Sequence, residues 1–232
     1  RESPSRQREA AMIGSPCHWA AWLCLTLSTG MSVSCAQSAP QPPMKVLETA
    51  SNNRFGLFGE LPASPAPTVF VFAMGVDGMN ENRIYSEAGR LLSEQGWLYV
   101  TVDLPCHGRD QLDGEPANLA GWAHRVTAGQ DLMGPFVRRC RDVLNYLVDH
   151  GYTTPARVAV CGTSRGGFCA LHFAAADARV SAVACVSPVT NLLALREFND
   201  ATVDQVQRFN VEALVTKLTG RPIWISIGDD DQ

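Results

Sequence analysis

The chain has 232 residues, with no basic run, no cysteine pair at a metal-binding spacing and no uninterrupted apolar segment of bilayer-spanning length. Each absence narrows the field. A formal net charge of −4 without a lysine or arginine cluster argues against nucleic acid as a partner. Without C-x-x-C or interleaved Cys/His spacing there is no sign of zinc, and no other motif asks for a cofactor or metal. There is no internal repeat and no block of like charge that would mark an interaction tail. Hydrophobic residues make up 46% of the chain, enough for one core-bearing domain but not comfortably for two.

Charge is missing altogether between Ala10 and Met44, where no Asp, Glu, Lys or Arg occurs. That stretch holds the apolar segment from Trp19 to Leu27, with Arg1, Arg6 and Arg8 upstream and Ser34-Cys35-Ala36 downstream. Basic, apolar and small-x-small in that order predict a secretory signal over residues 1–36, followed by a proline-rich linker over 37–44. The product is expected to be secreted or periplasmic and to touch a membrane only through the uncleaved signal. Lipoprotein anchoring at Cys35 ranks second, because Ser32 stands where such signals usually carry an aliphatic residue. Five of the eight cysteines lie beyond this region, at 106, 140, 161, 169 and 185. Most are expected to be buried free thiols, since cysteine packs as a small hydrophobe.

From residue 45 to 232 strand and helix patterns alternate, which predicts a doubly wound, mostly parallel sheet flanked by helices. Residues 45–62 suggest an edge hairpin, and apolar runs at 68–74, 97–102, 157–161, 180–186 and 223–227 suggest strands covered on both faces. Ile84, Ala88, Leu91 and Leu92 recur at helical spacing, as do Met133, Phe136, Val137, Cys140, Val143, Leu144, Leu147 and Val148. Further helical stretches are expected near 192–198 and 203–218. The segment 106–131 is polar and reads as a long irregular loop.

The strongest motif is Gly162-Thr163-Ser164-Arg165-Gly166, directly after the run Val158-Ala159-Val160-Cys161. Strand, sharp turn and small-residue helix make it a G-x-S-x-G nucleophile elbow. The turn lifts the serine hydroxyl clear of the sheet, and the crowded backbone demands small residues two places either side. A second motif, Asp103-Leu104-Pro105-Cys106-His107-Gly108, follows the strand at 97–102. With these two motifs the chain resembles the α/β-hydrolase superfamily over residues 45–232, in the branch of dienelactone hydrolases and prolyl-oligopeptidase-like peptidases. Cys106 stands where those proteins usually carry glycine.

The resemblance implies a serine hydrolase that acts on a small-molecule ester or peptide without a cofactor. Ser164 would be the nucleophile, and the backbone N–H groups of Arg165 and Val76 the oxyanion donors, with Gly75 as a near alternative. Asp231 would be the acid after the last strand, with Asp230 next. Histidines occur at 18, 107, 124, 150 and 172, all before Asp231, whereas the family order puts the base after the acid. The base is therefore expected beyond Gln232, with the final strand and helix of the domain. His107 is expected to support the site rather than act as base. A non-catalytic binding protein of the same fold, or a thioesterase or acyltransferase using the same site, remains open at this stage.

Overall fold

The computed structural model describes residues 44–228, so the signal, most of the linker, Asp230 and Asp231 lie outside the described residues. Strands β1 (Lys45–Glu48) and β2 (Arg54–Phe58) pair as an antiparallel hairpin. Strands β3 (Thr68–Phe72), β4 (Leu98–Val102), β5 (Val158–Thr163), β6 (Val180–Val186) and β7 (Ile223–Ser226) run parallel to one another. One sheet results, in the order β1-β2-β4-β3-β5-β6-β7, with β2 antiparallel to β4 at the join. The doubly wound, mostly parallel architecture is as expected.

Helices cover both faces, which is why every residue of β3 and β4 is buried. On one face α1 (Val76–Glu81) and α2 (Arg83–Glu94) pack over Val69, Val71, Tyr99 and Ala159. On the other, α3 (Asn118–Thr127), α4 (Gly134–Asp149) and α5 (Arg165–Ala176) enclose Phe70, Phe72, Val100, Val160 and Val183. Rings interlock there edge to face, Phe72 against Phe136 at 5.2 Å and Phe70 against Phe173 at 5.2 Å. Short helices α6 (Val203–Val206) and α7 (Val215–Leu218) close the region before β7.

Four details differ from the sequence reading. The segment 106–131 is not irregular throughout: it contains a 3-10 turn at Gly108–Asp110 and the whole of α3. The inward face of α3 is Gly121, Trp122, Ala123, Arg125 and Val126, a mixture that carries no apolar stripe to read. In α2 the anticipated stripe is rotated: Ile84 is 83% exposed, while Ser86, Gly89, Arg90 and Leu92 face inward. Gly89 sets the rotation, because a Cβ there would stand 2.5 Å from the Tyr99 ring. The stretch 203–218 divides into α6, a 3-10 turn and α7 rather than one helix. Met44, taken from sequence as the last linker residue, is buried and packs with the α2-side core.

Because β3 to β7 run parallel, the segments following β3, β4, β5 and β6 emerge at one end of the sheet, where sites form in open α/β folds.

Candidate active site

The turn after β5 is built as the elbow requires. Ser164 has φ 53° and ψ −119°, a conformation that costs a non-glycine residue about 1–3 kcal/mol. Its surroundings hold it there. The Ser164 N–H donates to the Val186 carbonyl at 2.9 Å, and its carbonyl accepts from the N–H groups of Gly167, Phe168 and Val189 at 3.0–3.3 Å. Both motif glycines are sterically required. A Cβ on Gly162 would lie 2.2 Å from the Gly166 carbonyl oxygen, and one on Gly166 would lie 1.9 Å from that of Phe72. This close approach sets the start of α5 against the end of β3. Ser164 itself is exposed. Arg165 opens α5, so its backbone N–H has no acceptor within the helix and is free to serve an anion.

The second expected donor is corrected by the structure. The Val76 N–H donates to Asp103 Oδ1 at 2.7 Å, so this carboxylate already occupies it. Asp103 is buried, and its other oxygen accepts the Arg109 N–H at 3.2 Å. A negatively charged group at the start of α1 is the favoured partner for such an amide, which explains the capture. Gly75, the neighbouring alternative in the same loop, takes over as second-donor candidate.

The segment after β4 is fixed by buried ion pairs. Arg125 meets Asp110 at 2.7 Å and Glu115 at 2.6 Å, and Arg139 also meets Asp110. Hydrogen bonding to Arg125 holds the Glu115 carboxyl below its ordinary range. Cys106 has φ +57°, the left-handed region in which glycine is at ease, which accounts for the glycine of the related motif. Its side chain is fully buried, and a Cβ on Gly121 would lie 2.8 Å from its Sγ. The bare α-carbon of Gly121 thus makes the room that Cys106 occupies. None of this ionic and steric bracing has a periodic sequence signal; only the polarity of the segment was visible.

His107 lies inside this segment and is buried. Its Nδ1 is 2.7 Å from the Pro105 carbonyl, which can only accept, so Nδ1 carries the proton. The bare Nε2 then faces Arg165 Nη1 at 3.2 Å. Burial lowers its pKa and keeps the ring neutral. Both ring nitrogens are committed, in keeping with a supporting role. His172 is buried in α5 with Nε2 2.7 Å from the Phe209 carbonyl. His150 ends α4, beside the segment in which Tyr152 pairs with Ala66, at the opposite end of the strands from Ser164. His124 stands exposed on α3. Among the described residues no hydrogen bond joins a histidine to the Ser164 hydroxyl. They also hold no group of three or more Cys, His, Asp or Glu able to bind a metal.

Comparison with known proteins gives the chain relatives. A family model described as "Putative esterase" matches residues 64–232. An acetyl xylan esterase from Paenibacillus sp. R4 shares the fold at 16% identity, with 91% of this chain and 85% of that one covered and a TM-score of 0.56. An S-formylglutathione hydrolase from Agrobacterium tumefaciens does so at 13% identity, covering 80% and 84%, with a TM-score of 0.54. A CE15 glucuronoyl esterase from Teredinibacter turnerae T7901 is matched at 18% identity over 81% of this chain and only 56% of its own, with a TM-score of 0.46. No curated protein matches the sequence.

Proposed function

The chain belongs to this esterase family, and from that membership we propose that it is a serine hydrolase cleaving a carboxylic ester through an acyl intermediate on Ser164. The observation that carries the reading is the backbone of Ser164. A strained, exposed serine between β5 and α5, retained by four hydrogen bonds and two steric constraints, is hard to account for by stability alone.

In this reading a histidine base takes the Ser164 hydroxyl proton as Oγ attacks the ester carbonyl carbon. The carbonyl π electrons move onto oxygen, and the N–H groups of Arg165 and Gly75 hold that oxyanion. Collapse expels the alcohol, which recovers the proton from the base. Water then attacks the acyl-serine by the same route and frees the acid. Asp231 is the proposed carboxylate that orients the base, with Asp230 as the neighbour to test beside it. Ester rather than peptide cleavage is favoured by the family. The charge-free N-terminal segment supports export of the product after cleavage behind Ala36.

A fluorophosphonate probe tests the core of this proposal. It is expected to label Ser164 in the folded, full-length protein and to leave Ser164→Ala unlabelled, and a panel of short-chain esters and aminoacyl amides is expected to show turnover of the esters. A folded, full-length wild-type protein that neither takes the label nor turns over any substrate would make it a binding protein of the same fold. Asp231→Asn is expected to lower turnover at least a hundredfold and Asp230→Asn much less.

A further inference from the structure

Arg165 carries a charge that no described residue pairs with. Its Nη1 contacts two groups, His107 Nε2 at 3.2 Å and Asn118 Oδ1 at 3.3 Å. The proton on His107 Nδ1 leaves Nε2 as a neutral lone pair, so both acceptors are uncharged. The other arginines of this end behave differently: Arg109 pairs with Glu48, Arg125 with Asp110 and Glu115, and Arg139 with Asp110. Among the described residues no carboxylate lies within ion-pairing distance of Arg165.

The two Nη1 contacts fix the plane of the guanidinium, while Nε and Nη2 make no hydrogen bond among the described residues. That edge is the face of arginine that receives both oxygens of a carboxylate in parallel. Arg165 is half-buried, directly follows the exposed Ser164, and Asn118 beside it is open to solvent. A tie between α5 and the segment after β4 needs only a neutral donor. The charge and the oriented fork call for an anion.

We propose that Arg165 binds a carboxylate on the substrate, so that the preferred substrate is an ester bearing an anionic group a few bonds from the scissile carbonyl. This rests on acyl transfer at Ser164 as read above. It makes Arg165 a residue of two functions: its backbone N–H serves the oxyanion and its side chain selects the acyl group.

The test compares monomethyl succinate with dimethyl succinate, which share an acyl chain and differ in one charge, by methanol release at pH 7.5. The quantity read is the ratio of their kcat/KM values, which cancels any change at the start of α5 that affects both esters. Wild type is expected to favour the anion at least tenfold. Arg165→Gln is expected to lower that ratio about 10–100-fold, and Arg165→Lys, which keeps the charge but not the fork, to fall between. A second arm needs no turnover: succinate is expected to slow fluorophosphonate labelling of Ser164 in wild type and not in Arg165→Gln. A ratio near one, or an unchanged ratio in Arg165→Gln with dimethyl succinate still hydrolysed, would overturn the proposal and leave Arg165 as a loop tie. Labelling of Ser164 that succinate does not slow would do the same. A folded wild type with no labelling at all fails the acyl-serine reading itself, and this inference with it.

Discussion

The carboxylate of Asp103 accepts the N–H of Val76 at 2.7 Å, and with its second oxygen the N–H of Arg109 at 3.2 Å. One buried side chain therefore joins the start of α1, after β3, to the segment after β4 at the sheet end that carries Ser164. Replacing it with alanine strands the buried amide of Val76, at about 1–3 kcal/mol for a buried group left unsatisfied, and releases the part-buried amide of Arg109. Asp103→Ala is expected to lose at least about 2 kcal/mol in denaturant unfolding and to slow labelling of Ser164 at least tenfold, because Gly75 loses its anchor. Asp103→Asn keeps an oxygen for Val76 and is expected to recover most of the stability. Equal labelling rates in Asp103→Ala and wild type would disconnect this carboxylate from the site.

The strain at Ser164 predicts opposite changes in stability and activity. Ser164→Gly removes the penalty of φ 53° and is expected to raise the unfolding free energy by about 1 kcal/mol while abolishing turnover. Ser164→Ala keeps the backbone penalty and is expected to be equally inactive without that gain. Gly166→Ala drives a Cβ to 1.9 Å from the Phe72 carbonyl and is expected to destabilise by several kcal/mol or to prevent folding. A stable, active Gly166→Ala protein would show that the elbow is looser than described.

The features readable in the sequence are those with a period or a fixed local geometry. The all-buried strand Thr68–Phe72 announced itself as an apolar run, and the elbow by two glycines that the Ser164 backbone cannot do without. The stripe of α4 transferred apart from its ends: Phe136, Cys140, Val143 and Leu147 are buried as their spacing implies, whereas Met133 precedes the helix and Val148 is half-buried. What the sequence could not carry depends on non-local partners. Arg125 reads as polar surface until Asp110 and Glu115 are brought around it by the turn at Gly108–Asp110. Val76 and Gly75 are equivalent as candidate donors in a linear reading. Only the arrival of Asp103 from the adjacent strand distinguishes them.

Cys106 offers a test of the compensation between its side chain and Gly121. Burial pushes its thiol up to about 12, so iodoacetamide at pH 8 is expected to leave it unmodified in the native protein and to react after unfolding. Cys106→Gly relieves the left-handed backbone by about 1 kcal/mol and loses a similar amount of buried contact, so its stability is expected to stay within about 1 kcal/mol of wild type. Cys106→Val places a β-branched side chain at φ +57° and is expected to cost about 2 kcal/mol or more. Rapid alkylation of native Cys106 would contradict its burial.

His172 makes the stability of the protein depend on pH with a definite sign. It is buried in α5 with Nε2 2.7 Å from the Phe209 carbonyl, and burial pushes its pKa down to about 4. The groups facing it, Asp131 and Lys217, act in opposite directions and leave desolvation in charge. An unfolded histidine titrates near 6.5, so between roughly pH 6.5 and 4 the unfolded chain binds a proton that the folded one refuses. Stability is therefore full above about pH 7 and falls as pH drops through that window, by a total on the order of 3 kcal/mol near pH 4. His107, lowered by burial as well, adds a contribution of the same sign. The carboxylates of Asp77, Glu115 and Asp177, all held below their ordinary range, begin to lose their own contribution near pH 5, with the same sign, so the His172 effect is read at pH 5 and above. Urea unfolding at pH 7.5, 6.0 and 5.0 is expected to show a falling midpoint in wild type and a shallower fall in His172→Gln, which keeps a donor for Phe209 but cannot titrate. Parallel pH profiles for the two proteins would show that His172 is not the buried neutral imidazole described.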